Sequence, residues 1–207
     1  MKKVKFLFLM VALMSQVTGI HAQDKIKTIE KGDFLLNPYV TLGWYDYGYN
    51  LDVVNIFPPV GANFEIAATD YISVGLEADF GFRRYRDLFF TTGSYKYTYT
   101  YQSLGVRGSF HYLDWLKDLI DDNIFGFHSL DLDLYAGAST GIFTTTVKES
   151  WNDGVNETDH ERKTFSSSWR IGYLLGARYY FSDHFGAFVE GGRNSLGWAK
   201  LGLTLKI

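Results

Sequence analysis

Along residues 94–112, SYKYTYTYQSLGVRGSFHY, odd and even positions carry different chemistry in one unbroken phase. Odd positions run from Tyr95, Tyr97, Tyr99 and Tyr101 to Ser103, Gly105, Arg107, Ser109 and His111. Even positions change from Lys96, Thr98, Thr100 and Gln102 to Leu104, Val106, Gly108, Phe110 and Tyr112. A period of two marks a strand, whose successive side chains point to opposite faces. The even face turns from polar to oily at Leu104, so a boundary crosses the strand there.

The same alternation recurs along the chain in segments of about ten residues. The first is 39–49. In the second, 60–68, Val60, Ala62, Phe64 and Ile66 oppose Gly61, Asn63 and Glu65; in the third, 71–85, Ile72, Val74, Leu76, Ala78, Phe80 and Phe82 oppose Ser73, Gly75, Glu77, Asp79, Gly81 and Arg83. After the fourth, quoted above, the fifth sets Leu130, Leu132, Leu134 and Ala136 against Asp131, Asp133 and Tyr135. The sixth sets Trp169, Ile171, Tyr173 and Leu175 against Arg170, Gly172 and Arg178; the seventh sets Phe185, Ala187 and Val189 against Gly186, Phe188 and Glu190. In the eighth, Ala199, Leu201, Leu203 and Leu205 oppose Lys200, Gly202, Thr204 and Lys206. Eight strands joined by turns at 69–70 and 182–184 predict an all-β, antiparallel, up-and-down barrel.

The polar face decides what kind of barrel. A soluble barrel is oily inside, whereas a membrane barrel is oily outside, because only closure satisfies every backbone group in lipid. Here one face holds Gly, Ser and charges, which would be costly to leave unpaired in a core. It suits a narrow lumen, filled by Glu65, Glu77, Asp79, Asp131, Asp133 and Glu190 against Arg83, Arg107, Arg170, Arg178, Lys200 and Lys206. Six acids face six bases. A spanning strand needs about 9 to 11 residues, which Leu104–Tyr112 supply. Residues 95–102 are therefore expected to project beyond the bilayer, with Tyr95, Tyr97, Tyr99 and Tyr101 as an external aromatic rim that Trp151 adjoins from the next loop.

Loop lengths orient it. The longer connections at 50–59, 86–94 and 146–166 belong outside and the tight turns at 69–70 and 182–184 in the periplasm, with both termini. Residues 113–129 are too long for a turn. Leu113, Leu116, Leu119 and Ile120 have helical spacing, which predicts a short amphipathic helix at the inner interface with Trp115 as its anchor.

Composition refines this picture. The 15 Tyr, 17 Phe and 5 Trp are unusual in number, and Cys is absent, excluding disulfides and thiolate chemistry. At the start, Lys2, Lys3 and Lys5 precede an apolar run from Phe6 to Met14 and a small-residue site at Ala22. This predicts a secretory signal over 1–22, cleaved before Gln23, with the barrel domain over 23–207. Without it, 17 basic groups face 23 acidic ones, a net of −6, and a nucleic-acid partner is not expected.

The chain resembles the small outer-membrane β-barrels of the OmpA and OmpX kind. The resemblance covers essentially all of the expected mature chain, and its best local match is the end, GARYYFSDHFGAFVEGGRNSLGWAKLGLTLKI from Gly176. Family members usually end in an aromatic; this chain ends in Ile207. The resemblance implies a fold and a location in the outer membrane of a Gram-negative bacterium, and no active site.

Some eight-stranded barrels modify lipid A with a His, a Ser and an acid. Here His111 ends a lumen column, His128 and His184 fall in periplasmic connections and His160 in an external loop, so catalysis is not expected. Asn152, Asp153, Asn156, Glu157 and Asp159 cluster in KESWNDGVNETDHERK without EF-hand spacing. Neither a metal nor a cofactor is expected. The expected partners are membrane lipid and lipopolysaccharide, together with a surface or host partner met by the external loops, the protein itself being a monomer. The leading expectation is a surface-interaction or structural barrel. A small porin-like channel is the alternative and a lipid A-modifying enzyme the remote one.

Overall fold

The computed structural model describes residues 28–44, 52–87, 94–119, 131–152, 159–194 and 196–207. The expected leader over 1–22, Ile120, His128 and loop residues Asp153, Asn156 and Glu157 lie outside them. Eight strands follow one another around a closed barrel: β1 (Phe34–Trp44), β2 (Asp52–Ala67), β3 (Ile72–Asp87), β4 (Ser94–His111), β5 (Leu132–Asn152), β6 (Asp159–Ser182), β7 (Phe185–Asn194) and β8 (Gly197–Lys206). Each pairs antiparallel with the next, and β8 returns to β1. Closure leaves no sheet edge within the ring, the condition lipid imposes on a strand protein.

Alternation sorts the faces as expected. Leu76, Leu104, Ile171, Leu175 and Leu201 point outward and are more than half exposed, whereas Glu65, Arg107, Arg178, Glu190 and Lys200 point inward and are almost wholly buried. In water this distribution would be ruinous; in a bilayer it is the stable one.

The strands run longer than the apolar pattern. β1 begins at Phe34 rather than 39, and β2 begins at Asp52, so most of the expected connection at 50–59 is strand. One bulge falls between Val53 and Asn55, and a second, between Phe57 and Val60, absorbs Pro58 and Pro59, as a proline in a ladder requires. Residues expected as a loop at 146–166 are instead a ladder up to Asn152 opposite Asp159. The cause is that ladder hydrogen bonds are backbone bonds, and Thr144-Thr145-Thr146-Val147 favours the extended state without an oily face.

One short helix follows β4 among the described residues, α1 (Tyr112–Leu119). Leu113 and Asp114 are buried, Trp115 and Leu119 are exposed, and the Trp115 ring lies 6.0 Å from that of Phe110. Residues 28–33 cross the same end of the barrel. Asp114 accepts hydrogen bonds from the Thr28 and Ile29 amides and the Thr28 hydroxyl, and Lys206 Nζ donates to the Thr28 carbonyl at 3.0 Å. Ile29 fits against Leu35 and Ala67.

Candidate functional site in the lumen and at the external rim

Arg107 lies at the centre of the lumen. Its Nη1 is 3.0 Å from Glu77 and its Nη2 2.8 Å from Glu190, with Glu65 at 3.6 Å from Nε. One guanidinium thus joins β2, β3, β4 and β7. Lys200 from β8 approaches Glu77 at 2.7 Å and Glu190 at 3.6 Å, and Arg178 from β6 approaches Asp133 at 3.2 Å and Glu65 at 3.6 Å. Inward side chains meet because the bore of eight strands is only about as wide as the side chains that fill it.

Of the twelve charged residues expected in the lumen, Glu65, Glu77, Asp79, Arg83, Arg107, Asp133, Arg178, Glu190, Lys200 and Lys206 are buried. Two are not. Asp131 precedes β5 and is exposed, its carbonyl accepting the Tyr180 amide. Arg170 has the inward phase but sits where β6 has outrun its neighbour β7; it is exposed and stacks 3.6 Å over the Phe143 ring. With one acid and one base displaced, five acids still face five bases.

Several members lack charge and so escaped the expectation. Asn37 donates to Glu65 at 3.1 Å, and Thr204 donates to Asn37. The Tyr39 hydroxyl donates to Asp79 at 2.9 Å and Ser103 donates to the other oxygen at 2.8 Å. Tyr135 reaches Glu190 at 3.3 Å. Their signal was their phase, since each falls on the inward parity of its strand.

His111, expected at the end of a lumen column, is fully buried. Nδ1 is 2.9 Å from Asp133 and Nε2 is 3.0 Å from Ser73 Oγ. The distances are those of a nucleophile relay, but Ser73 donates its hydroxyl proton to Glu65 at 2.6 Å. A serine whose proton goes to a carboxylate leaves His111 to donate to it, the reverse of general-base activation. The three residues join the buried network. His184 bonds the Lys206 carbonyl at 3.1 Å. Among the described residues no cluster of three or more His, Cys, Asp or Glu is placed to hold a metal.

Above Leu104 the inward column turns aromatic. Tyr99 and Tyr101 stack at 6.2 Å, Tyr85 meets Tyr99 edge-on at 5.5 Å, and Tyr101 adjoins Phe143 at 6.2 Å. Tyr97 pairs with Tyr85 in register, and Tyr95 pairs with Trp151. Burial, then the neighbouring Tyr85 and Glu149, raise the Tyr99 hydroxyl above its ordinary range, so it stays a neutral donor at physiological pH.

No protein-family model and no curated protein matches the chain. Among solved structures, it is similar to the N-terminal β-barrel domain of Pseudomonas aeruginosa OprF (14% identity, 86% of this chain and 100% of that one, TM-score 0.42). It is also similar to Ail, the attachment invasion locus protein of Yersinia pestis (15%, 86% and 96%, 0.44), and to Acinetobacter baumannii CarO2 (12%, 86% and 99%, 0.44).

Proposed function

We propose that this chain is a non-enzymatic, monomeric barrel of the bacterial outer membrane, whose filled lumen anchors an elevated sheet that meets a partner at the cell surface. One observation carries the reading. The β4–β5–β6 ladders continue past Leu104, Ile142 and Trp169 up to Ser94, Asn152 and Asp159, which adds about 30 Å of strand beyond the oily belt. Among the described residues, β6 above Tyr173 has no partner on its β7 side. An unpaired edge presents backbone donors and acceptors that an extended segment of a partner can complete, and the tyrosine rim adds rigid aromatic contact area.

Outward on the same sheet, Arg84, Lys148 and Lys163 fall on one row across β3, β5 and β6. Their height above the belt supports lipopolysaccharide phosphate as a neighbour. The leader over 1–22 supplies the export that this location requires.

The test replaces residues 147–164 with Asn-Gly, joining Thr146 to its ladder partner Phe165. Bacteria displaying the shortened barrel should lose adhesion to host-cell monolayers and to one another while the protein still shows the heat-dependent gel shift of a folded barrel. Unchanged adhesion would sink the proposal.

A further inference from the structure

Beyond Leu104, β3, β4, β5 and β6 continue side by side in register, so the inward parity of the lumen carries on above the oily belt as the inner face of the elevated sheet. On this face β4 places Tyr97, Tyr99 and Tyr101, and β5 and β6 place Thr145, Thr164 and Ser166 in the same rows. The Tyr99 and Tyr101 rings are near-parallel, 12° apart in plane and 6.2 Å between centroids. Each has a neighbour that fixes it: Tyr85, itself buried, meets Tyr99 edge-on at 5.5 Å, and Phe143 adjoins Tyr101 at 6.2 Å. The three tyrosines of β4 are nonetheless only half-buried, so ring surface remains for a ligand, and a ring with two torsions loses little freedom when covered.

The charges in these rows are matched among themselves. Glu149 lies directly opposite Arg162, an opposite-sign cross-strand pair. Arg83 is buried beside the rings, and its Nη1 donates to the Tyr85 hydroxyl at 3.3 Å. The accessible surface therefore carries one acid and one base and no net charge. Nor does it offer a backbone edge, because β4 and β5 are paired on both sides throughout these rows, which leaves an added peptide strand nothing to bond. Ring faces beside hydroxyls are what a ligand meets. Their complement is an uncharged molecule with C–H faces and hydroxyl edges, the chemistry of a sugar ring, whose C–H groups pack on an aromatic face while its hydroxyls bond polar side chains nearby. From Tyr97 to Tyr101 the column runs about 14 Å along the strand, longer than one sugar ring.

We propose that the inner face of the elevated sheet binds a neutral saccharide chain. Its sugar rings stack on Tyr99 and Tyr101, and its hydroxyls bond Thr145, Thr164 and Ser166. Like the surface reading, this site requires that the elevated sheet stand outside the membrane; unlike it, the site uses side chains of fully paired strands and needs no edge.

The experiment uses the full chain, exported and purified from membranes in a polyoxyethylene detergent, whose head is not a sugar. It is applied to an array of neutral oligosaccharides of glucose, galactose, mannose and N-acetylglucosamine, beside heparin fragments, and the binders are then titrated. Neutral chains of several sugars should bind. Y99A/Y101A should weaken binding by about tenfold or more, the scale of losing anchor rings, while Y99F/Y101F, which keeps the rings, should stay within a few-fold. T145V/S166A should weaken it several-fold through the lost hydroxyls. Binding to heparin fragments alone, no neutral binder, or an affinity indifferent to Y99A/Y101A in protein that keeps its heat-dependent gel shift overturns the proposal. Loss of adhesion in the barrel shortened at 147–164, with no saccharide bound by the intact one, keeps the surface reading and removes this one.

Discussion

At the scale of single residues, the abundance of glycine and of aromatic rings has one shared cause. A ring pointing into a narrow lumen needs a strand neighbour with no side chain of its own. Tyr135 lies opposite Gly176 in register, and a Cβ there would come within 2.2 Å of the ring; Tyr39 covers Gly61 at 2.7 Å, and Phe188 covers Gly202 at 2.5 Å. Tyr135 is fully enclosed and has nowhere to move. Gly176→Ala should therefore cost about 1 to 3 kcal/mol, the range for overpacking, and Y135L should recover most of it in the double variant. The check is urea unfolding in detergent, and additive losses would contradict the pairing. Arg107→Met removes the one cation shared by Glu77, Glu190 and Glu65. Buried charges deprived of a partner cost about 3 to 5 kcal/mol, so the same unfolding assay should find R107M the less stable by that amount.

At the scale of elements, the segment at 28–33 acts as a strap across the barrel end opposite the rim. Its hold is concentrated on one carboxylate, since Asp114 at the start of α1 receives three donors from Thr28 and Ile29. Asp114→Ala leaves two buried amides unsatisfied. The strap should then open without the barrel unfolding. Limited trypsin digestion should cut after Lys31, which is exposed but held against the β2–β3 turn by the hydrogen bond its backbone amide donates to Asp70, several-fold faster in D114A. Equal cleavage rates would show the strap is held elsewhere. The helix itself was legible from Leu113, Leu116 and Leu119, because a spacing of three is independent of what the helix later touches. Its buried Asp114 was not legible, because a polar residue in an amphipathic helix takes its meaning only from the partner that folding supplies.

At the scale of the whole molecule, charge balance and narrow bore act together. Five acids and five bases from seven strands fill the lumen, so an ion entering would have to displace paired charges rather than hydrate along a wall. In planar bilayers the intact protein should show no discrete openings, whereas Arg107→Ser, which removes the guanidinium that bridges Glu77 and Glu190 beside Lys200, should open intermittent steps. Steps of equal size in both would mean that ions pass elsewhere.

The sequence by itself determined the strand count, the parity of the faces in seven strands and the inversion of polarity that demands lipid outside. These follow from period two, which is a property of the extended backbone and needs no partner. It also located ten of the buried charges, because a charge on the inward parity is enclosed wherever both flanking strands continue beside it. Only the tertiary structure decided which acid meets which base, that Asn37, Tyr39, Ser73 and His111 complete the network, and that Arg170 stands outside it at the rim. Those outcomes depend on the register between strands and on where β7 ends beside β6. Register is fixed by closing the ring, a condition that no segment carries alone.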